Sequence, residues 1–308
     1  MNLALRDSHV SHCKRERRDF NSPQSPFNCY TPSMAKLLFG TAGIPMSTWP
    51  QETGEGIRRV AALGLDCMEV EFVQGIYLNE AQAKAMAGIA RNNSIKLSVH
   101  APYYLNFNAH ERFKLHSSQG MLHKAAKIAS LCGAKSIVFH PAFYLGDPPE
   151  QVYETVKTAI REVLNKLGDD DNPIILRPES AGKPTQFGTI DEIIRLASDL
   201  PRVAPCIDFA HWHARTGGNN TYGEFSGLLR DLQKNLGEVV LQDMHIHVSG
   251  IEYGKGGEKK HLPVRSSDLR YEDLLRALKD HGAGGTVICE SPNREEDALL
   301  LKESYQKV

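Results

Sequence analysis

The sequence predicts an α/β chain folded as a (β/α)8 barrel. Three observations carry that prediction. From Lys36 onward, short apolar runs alternate strictly with stretches of helical period. There are eight of each, over a span close to that of one such barrel. The segment after the first run, Gly40-Thr41-Ala42-Gly43-Ile44-Pro45, lacks the glycine spacing of a phosphate-binding turn, which argues against a doubly wound open sheet. Near-continuous apolar strands joined by helices pair in parallel and are covered on both faces.

Taken in order, the strand-like runs are 37–40 (LLFG), 67–72 (CMEVEF), 95–100 (IKLSVH), 136–140 (SIVFH), 174–178 (IILRP), 204–208 (APCID), 243–248 (DMHIHV) and 286–290 (TVICE). Each is apolar and four to six residues long, the length of a buried strand and too short for a helix. The helical stretches that follow them lie near 52–64, 79–93, 110–133, 149–168, 189–199, 222–236, 270–282 and 294–306. Residues 1–33 stand apart. A Cys13–Phe20 charge cluster and an Asn/Ser/Pro/Gln stretch show no periodicity, so they are expected to form a flexible extension to a single catalytic domain over 34–308.

The chain has 36 Lys and Arg against 37 Asp and Glu, a net charge of −1, so a globally basic nucleic-acid coat is absent and a polyanion would need a local site. The sequence holds no spanning-length apolar run and no secretory h-region near its start. Cys13, Cys29, Cys67, Cys132, Cys206 and Cys289 form no CxxC pair, and are expected to be reduced thiols of a cytoplasmic protein that binds no membrane. The sequence is compatible with a monomer.

In such a barrel, chemistry sits at the C-terminal ends of the strands. Strand 2 carries Glu69 and Glu71; strands 3 and 4 end in His100 and His140; strand 5 runs into Glu179; strand 6 ends in Asp208; strand 7 holds His245 and His247; strand 8 ends in Glu290. Carboxylates converging on one rim repel one another unless a cation neutralises them. Interleaved imidazoles suit Zn2+ or Mn2+. His211, three residues past Asp208, and His261, after strand 7, enlarge the set. Counting His100, His140, Glu179, Asp208, His211, His247, His261 and Glu290 gives eight ligand candidates, too many for one ion and enough for two or three. Clustered metals suit phosphodiester hydrolysis. His247 is preferred over His245 because it lies nearer the rim, which leaves His245 a supporting or core residue.

The stretches HAPYYLN, FHP, PESAGK, CIDFAH, IHVSG and ICES, in this order and on these strands, resemble the endonuclease IV-type AP endonucleases of the xylose isomerase-like superfamily. The resemblance covers roughly residues 36–308. It implies a trinuclear centre, usually of zinc, where the residues alone leave two or three ions, and Mn2+ or Mg2+ in place of Zn2+, open. That centre would cleave DNA 5′ to abasic sites and leave a 3′-hydroxyl. By position, His100, His140 and Glu179 would hold one ion. Glu179 would bridge to a second, completed by Asp208, His247 and Glu290, and His211 and His261 would hold a third. Glu179 and Glu290 would take the catalytic roles, Glu290 by positioning the attacking water. Tyr103 and Tyr104 match the loop that wedges into DNA. Two departures stand out. The family's aspartate for the third ion is replaced by Lys259, with Glu258 next to it, and the basic wedge after strand 2 has no match in VQGIYLN. Arg177 is expected to point inward and pair with Glu71 or Glu69. The competing function is a single-metal sugar isomerase or epimerase, which needs the Glu, Asp, His, Glu set of strands 5 to 8 but not His140, His211 and His261.

Overall fold

The computed structural model describes residues 36–308; the extension expected over 1–33 lies outside them. Eight parallel strands form the barrel: β1 (Leu37–Ala42), β2 (Cys67–Glu71), β3 (Lys96–His100), β4 (Ser136–Phe139), β5 (Ile175–Pro178), β6 (Cys206–Asp208), β7 (Met244–Val248) and β8 (Gly285–Cys289). Their spatial order runs β5-β4-β3-β2-β1-β8-β7-β6. Parallel bridges between Leu176 and Val203 and between Glu179 and Cys206 join the two ends, so the sheet closes. Eight helices cover it: α1 (Thr53–Ala62), α2 (Glu80–Asn92), α3 (Arg112–Leu131), α4 (Pro149–Asp169), α5 (Ile190–Asp199), α6 (Tyr222–Leu236), α7 (Tyr271–Asp280) and α8 (Glu295–Lys307). The predicted alternation is thus the observed one, each strand end falling within two residues of its expected place.

Strand side chains alternate between the barrel interior and the helical layer. Val70, Val99, Ile137, Leu176, Ile207, Ile246 and Val287 are buried in one continuous core. Cys67, Cys132, Cys206 and Cys289 are free, buried thiols, in keeping with the expectation for them. Among the described residues, no helix is long and apolar enough to cross a membrane.

Three features interrupt the simple repeat, all at the C-terminal face. A short helix, Phe209–Thr216, begins directly at the end of β6. A hairpin of Gly250–Gly254 and Gly257–Leu262 follows β7. A two-residue pair, Ala142–Phe143 with Gln186–Phe187, ties the loop after β4 to the loop after β5.

The loop after β5 is held by the cap of α5. Thr189 accepts from the Glu192 amide at 3.2 Å, while the Glu192 carboxylate accepts from the amides of Gly188 and Thr189 at 3.0 and 2.9 Å. The Gly188 carbonyl in turn accepts from the Ala181 amide at 2.9 Å, two residues past Glu179. Thr189→Ala is expected to cost about 1 kcal/mol in urea unfolding, the usual worth of such a cap. An unshifted midpoint would mean that the cap adds nothing to the stability of this loop.

Candidate metal centre

The site residues stand at the mouth because the apolar strands end there: His100, Asp208 and His247 lie in the last two residues of β3, β6 and β7, and His140, Glu179 and Glu290 follow β4, β5 and β8 directly. Glu179 follows β5 directly and is the hub. His100 Nε2 and His140 Nε2 lie 3.2 and 3.5 Å from its Oε2, and His211 Nδ1 and His247 Nδ1 lie 3.1 and 3.4 Å from its Oε1. His211 Nδ1 is also 3.4 Å from Asp208, and His247 Nδ1 is 3.2 Å from Glu290. Within 4 Å of Glu179, Asp208 and Glu290, the basic partners among the described residues are all imidazoles.

Three overlapping sets of donor atoms result, each set lying within 4.8 Å: His100, His140 and Glu179; Glu179, Asp208, His247 and Glu290; Asp208, His211, His261 and Glu290. Glu179, Asp208 and Glu290 each belong to two sets. All eight residues predicted from the sequence are therefore brought together.

Buried polar atoms normally find partners. Here Glu179 Oε1, Asp208 Oδ2 and His247 Nδ1 are buried without a hydrogen bond. That concentration of bare donors at one point fits a bound cation. A further set, Cys206, His245 and His247, fits one poorly. Burial pushes the Cys206 thiol far up, so it keeps its proton, and only a thiolate ligates.

The electrostatics are those of a self-neutralising cluster. Burial alone would raise the Glu179 carboxyl, but the charge of His247 and hydrogen bonds from His100 and His211 hold it well below the usual range. Burial pushes His140 down to about 4, so its imidazole is neutral, the form that ligates. Burial opposes charge on His100 as well, yet the contact with Glu179, with Glu71 and Glu69 nearby, lifts it to about 9. Glu71, beneath the mouth, is pushed up to about 8 by burial.

Below this layer lies a second one. Glu69 is fully buried and accepts from Ser98 Oγ at 2.6 Å and from His245 Nε2 at 2.9 Å; its other oxygen lies 2.9 Å from His247 Nε2. His245 turns its remaining nitrogen to Thr286, 3.1 Å away. His247 thus faces the donor sets and His245 supports from behind. The pairing expected for Arg177 is corrected by the same arrangement. Arg177 is buried, but it donates to the Pro205 carbonyl at 3.0 Å and to Asp243 at 2.8 Å. Glu69, one of the carboxylates expected as its partner, already has imidazole and hydroxyl partners.

Tyr103 stacks on His140, with ring centroids 5.7 Å apart, and meets His100 edge-on at 5.3 Å. Tyr104 next to it is 71% exposed. His213 lies in the short helix after β6, buried, and pairs with Asp268 at 3.1 Å, away from the donor sets.

A closed parallel barrel with overlapping His and carboxylate sets in its mouth defines the class: a (β/α)8 protein with a candidate polynuclear metal centre. The chain belongs to the xylose isomerase-like TIM barrel family, which matches residues 57–307. It is 45% identical over 273 residues to an uncharacterized protein of Methanocaldococcus jannaschii, covering 88% of this chain and 98% of that one. It is 26% identical over 216 residues to a probable endonuclease 4 of Staphylococcus aureus, covering 68% of this chain and 70% of the relative. The fold is shared with solved structures, two of which bear on the site. A D-tagatose 3-epimerase-like protein superposes with a TM-score of 0.68 at 18% identity, over 87% of this chain and 96% of the other. Endonuclease IV from Thermus thermophilus superposes with a TM-score of 0.65 at 21% identity, over 87% and 98%.

Proposed function

We propose that this protein is a metal-dependent endodeoxyribonuclease of the endonuclease IV type, hydrolysing DNA 5′ to abasic sites to leave a 3′-hydroxyl. The observation that carries this reading is the overlap of three donor sets through Glu179, Asp208 and Glu290. A one-metal enzyme has use for the four-residue set alone. In this reading His100, His140 and Glu179 hold one ion, Glu179, Asp208, His247 and Glu290 a second, and His211 and His261 a third. When bound, zinc ions there supply Lewis-acid charge that acidifies the attacking water and neutralises phosphate and leaving oxygen.

The protein's own groups do the rest. Glu179, buried and anionic, fixes the spacing between two sets. Glu290, with its side chain 9% exposed at the rim, is the carboxylate within reach of both substrate and attacking water, and it orients that water. Tyr103 shields the His140 and His100 imidazoles from bulk water. Tyr104 offers an aromatic face to the gap left by a missing base. Tyr104→Ala is expected to weaken binding of an abasic duplex about five- to thirtyfold, the loss of ~1–2 kcal/mol of stacking, with turnover of bound duplex preserved. Equal affinity of the two proteins for the duplex would remove Tyr104 from the interface.

The second reading is a sugar epimerase. The four-residue set and the fold shared with the epimerase-like structure favour it. One experiment separates the two: a duplex bearing a single tetrahydrofuran abasic analogue, incubated with zinc-loaded protein and with His140→Ala. A nick 5′ to the lesion, lost in the variant, supports the nuclease. An intact duplex with metal bound would transfer the assignment to ketose and aldose substrates.

A further inference from the structure

We infer that Glu258 completes a divalent-cation site with His211 and His261, turned into the mouth by a one-residue bulge at Lys259; this rests on the polynuclear reading above. In the hairpin after β7, Glu252 lies opposite Lys260 and Tyr253 opposite Glu258, so Lys259 has no residue across from it. Along a regular strand, Glu258 and His261, three apart, would point to opposite faces. One extra residue in the strand returns them to the same face. The surroundings agree. Glu258 and His261 are half-buried, whereas Lys259 and Lys260 are both exposed. Both lysines, although adjacent in sequence, pair with the one carboxylate of Glu252, at 3.3 and 3.2 Å.

The two rings are oriented for ligation. His261 Nδ1 donates to the Glu290 carbonyl, and His211 Nδ1 to the Ser180 carbonyl, each at 3.2 Å. Carbonyls only accept, so each ring has a proton on Nδ1, which leaves Nε2 as the nitrogen a cation would take. The two Nε2 atoms lie 3.2 Å apart. At that separation the two nitrogens share one proton, or one cation in its place. Two metal–nitrogen bonds of ~2.0–2.1 Å at the tetrahedral angle span about 3.3 Å. Glu258 Oε2 lies 3.5 Å from His211 Nε2, beside the set that Asp208 and Glu290 form with the two imidazoles, and would add an anionic donor from the hairpin.

Room for this arrangement comes from Gly182. A Cβ there would fall 2.7 Å from the Glu258 Cβ, 2.8 Å from its Oε2 and 3.1 Å from His211 Cδ2. The Glu258 amide donates to the Gly182 carbonyl at 3.0 Å, which pins the hairpin to the loop after β5.

The test is zinc stoichiometry by mass spectrometry after saturation and desalting, with competition titration for the weakest ion. Wild type and Lys259→Ala are expected to retain three zinc ions. Glu258→Ala and Gly182→Val are expected to retain two, or to hold the third at least tenfold more weakly, with unfolding midpoints checking that both remain folded. Three equally tight ions in Glu258→Ala would overturn the inference, as would two ions in both wild type and variant, which leaves the nuclease reading standing. A wild type that binds one ion or none would overturn that reading as well.

Discussion

Glu179→Gln is expected to strip the centre of more than one ion and to lower abasic-site nicking by about a thousandfold. Four imidazoles surround this carboxylate within 3.5 Å, and it is a member of two donor sets. An amide of the same size keeps the packing but removes the charge that two cations would share, and its NH2 group presents donors where lone pairs are needed. Losing several kcal/mol of charge stabilisation at the reacting phosphate corresponds to about a thousandfold, at ~4 kcal/mol. Metal content and turnover should fall together, and excess zinc should not restore the rate. A Gln variant that keeps its full zinc complement and its nicking rate would remove Glu179 from the centre.

The contrast between Glu179 and its neighbours explains which parts of this site can be read from a sequence. The barrel strands are mainly apolar runs, and the ligand candidates stand at or just past the ends of six of them, so a polar residue at that place is conspicuous. His140 and Glu290 fall one residue beyond β4 and β8, which is why they face the mouth. The helix Phe209–Thr216 is different. Asp208 ends a strand and caps that helix at once, its side chain accepting from the His211 amide at 2.7 Å. No loop separates the two elements, so neither period has room to declare itself.

The hairpin carrying His261 is hidden for two reasons. Its strands are polar and half-exposed, so no apolar alternation marks them, and the bulge at Lys259 breaks the period of two that would reveal them. Gly254-Lys255-Gly256-Gly257, with the first and last glycines paired across a two-residue turn, is the readable sign. Arg177 shows the other limit. Strand alternation places it in the interior, but its partner depends on which acceptors remain free in three dimensions, and Asp243, just before β7, serves that purpose.

Glu69→Ala is expected both to destabilise the fold and to loosen the metal centre, although Glu69 is not among the donor sets. Its carboxylate is fully buried and stays ionised there: burial opposes the charge, and His247 and His245 override it. Removing it leaves two buried imidazoles and the Ser98 hydroxyl without their acceptor. Breaking such a buried pair costs ~3–5 kcal/mol. The second consequence concerns direction. Glu69 lies 2.9 Å from His247 Nε2, so it favours the ring form whose Nδ1, toward Glu179 and Glu290, is free to ligate. Outer-layer carboxylates of this kind are worth ~10–100-fold in metal affinity. Glu69→Gln separates the two effects, because it keeps the volume while weakening the hold on His247. Its zinc affinity should fall by that factor with a smaller loss of stability than in Glu69→Ala. If Glu69→Gln lowered the unfolding midpoint as much as Glu69→Ala and left zinc affinity unchanged, the residue would be a core polar group only, and the orientation of His247 would have to come from β7 itself.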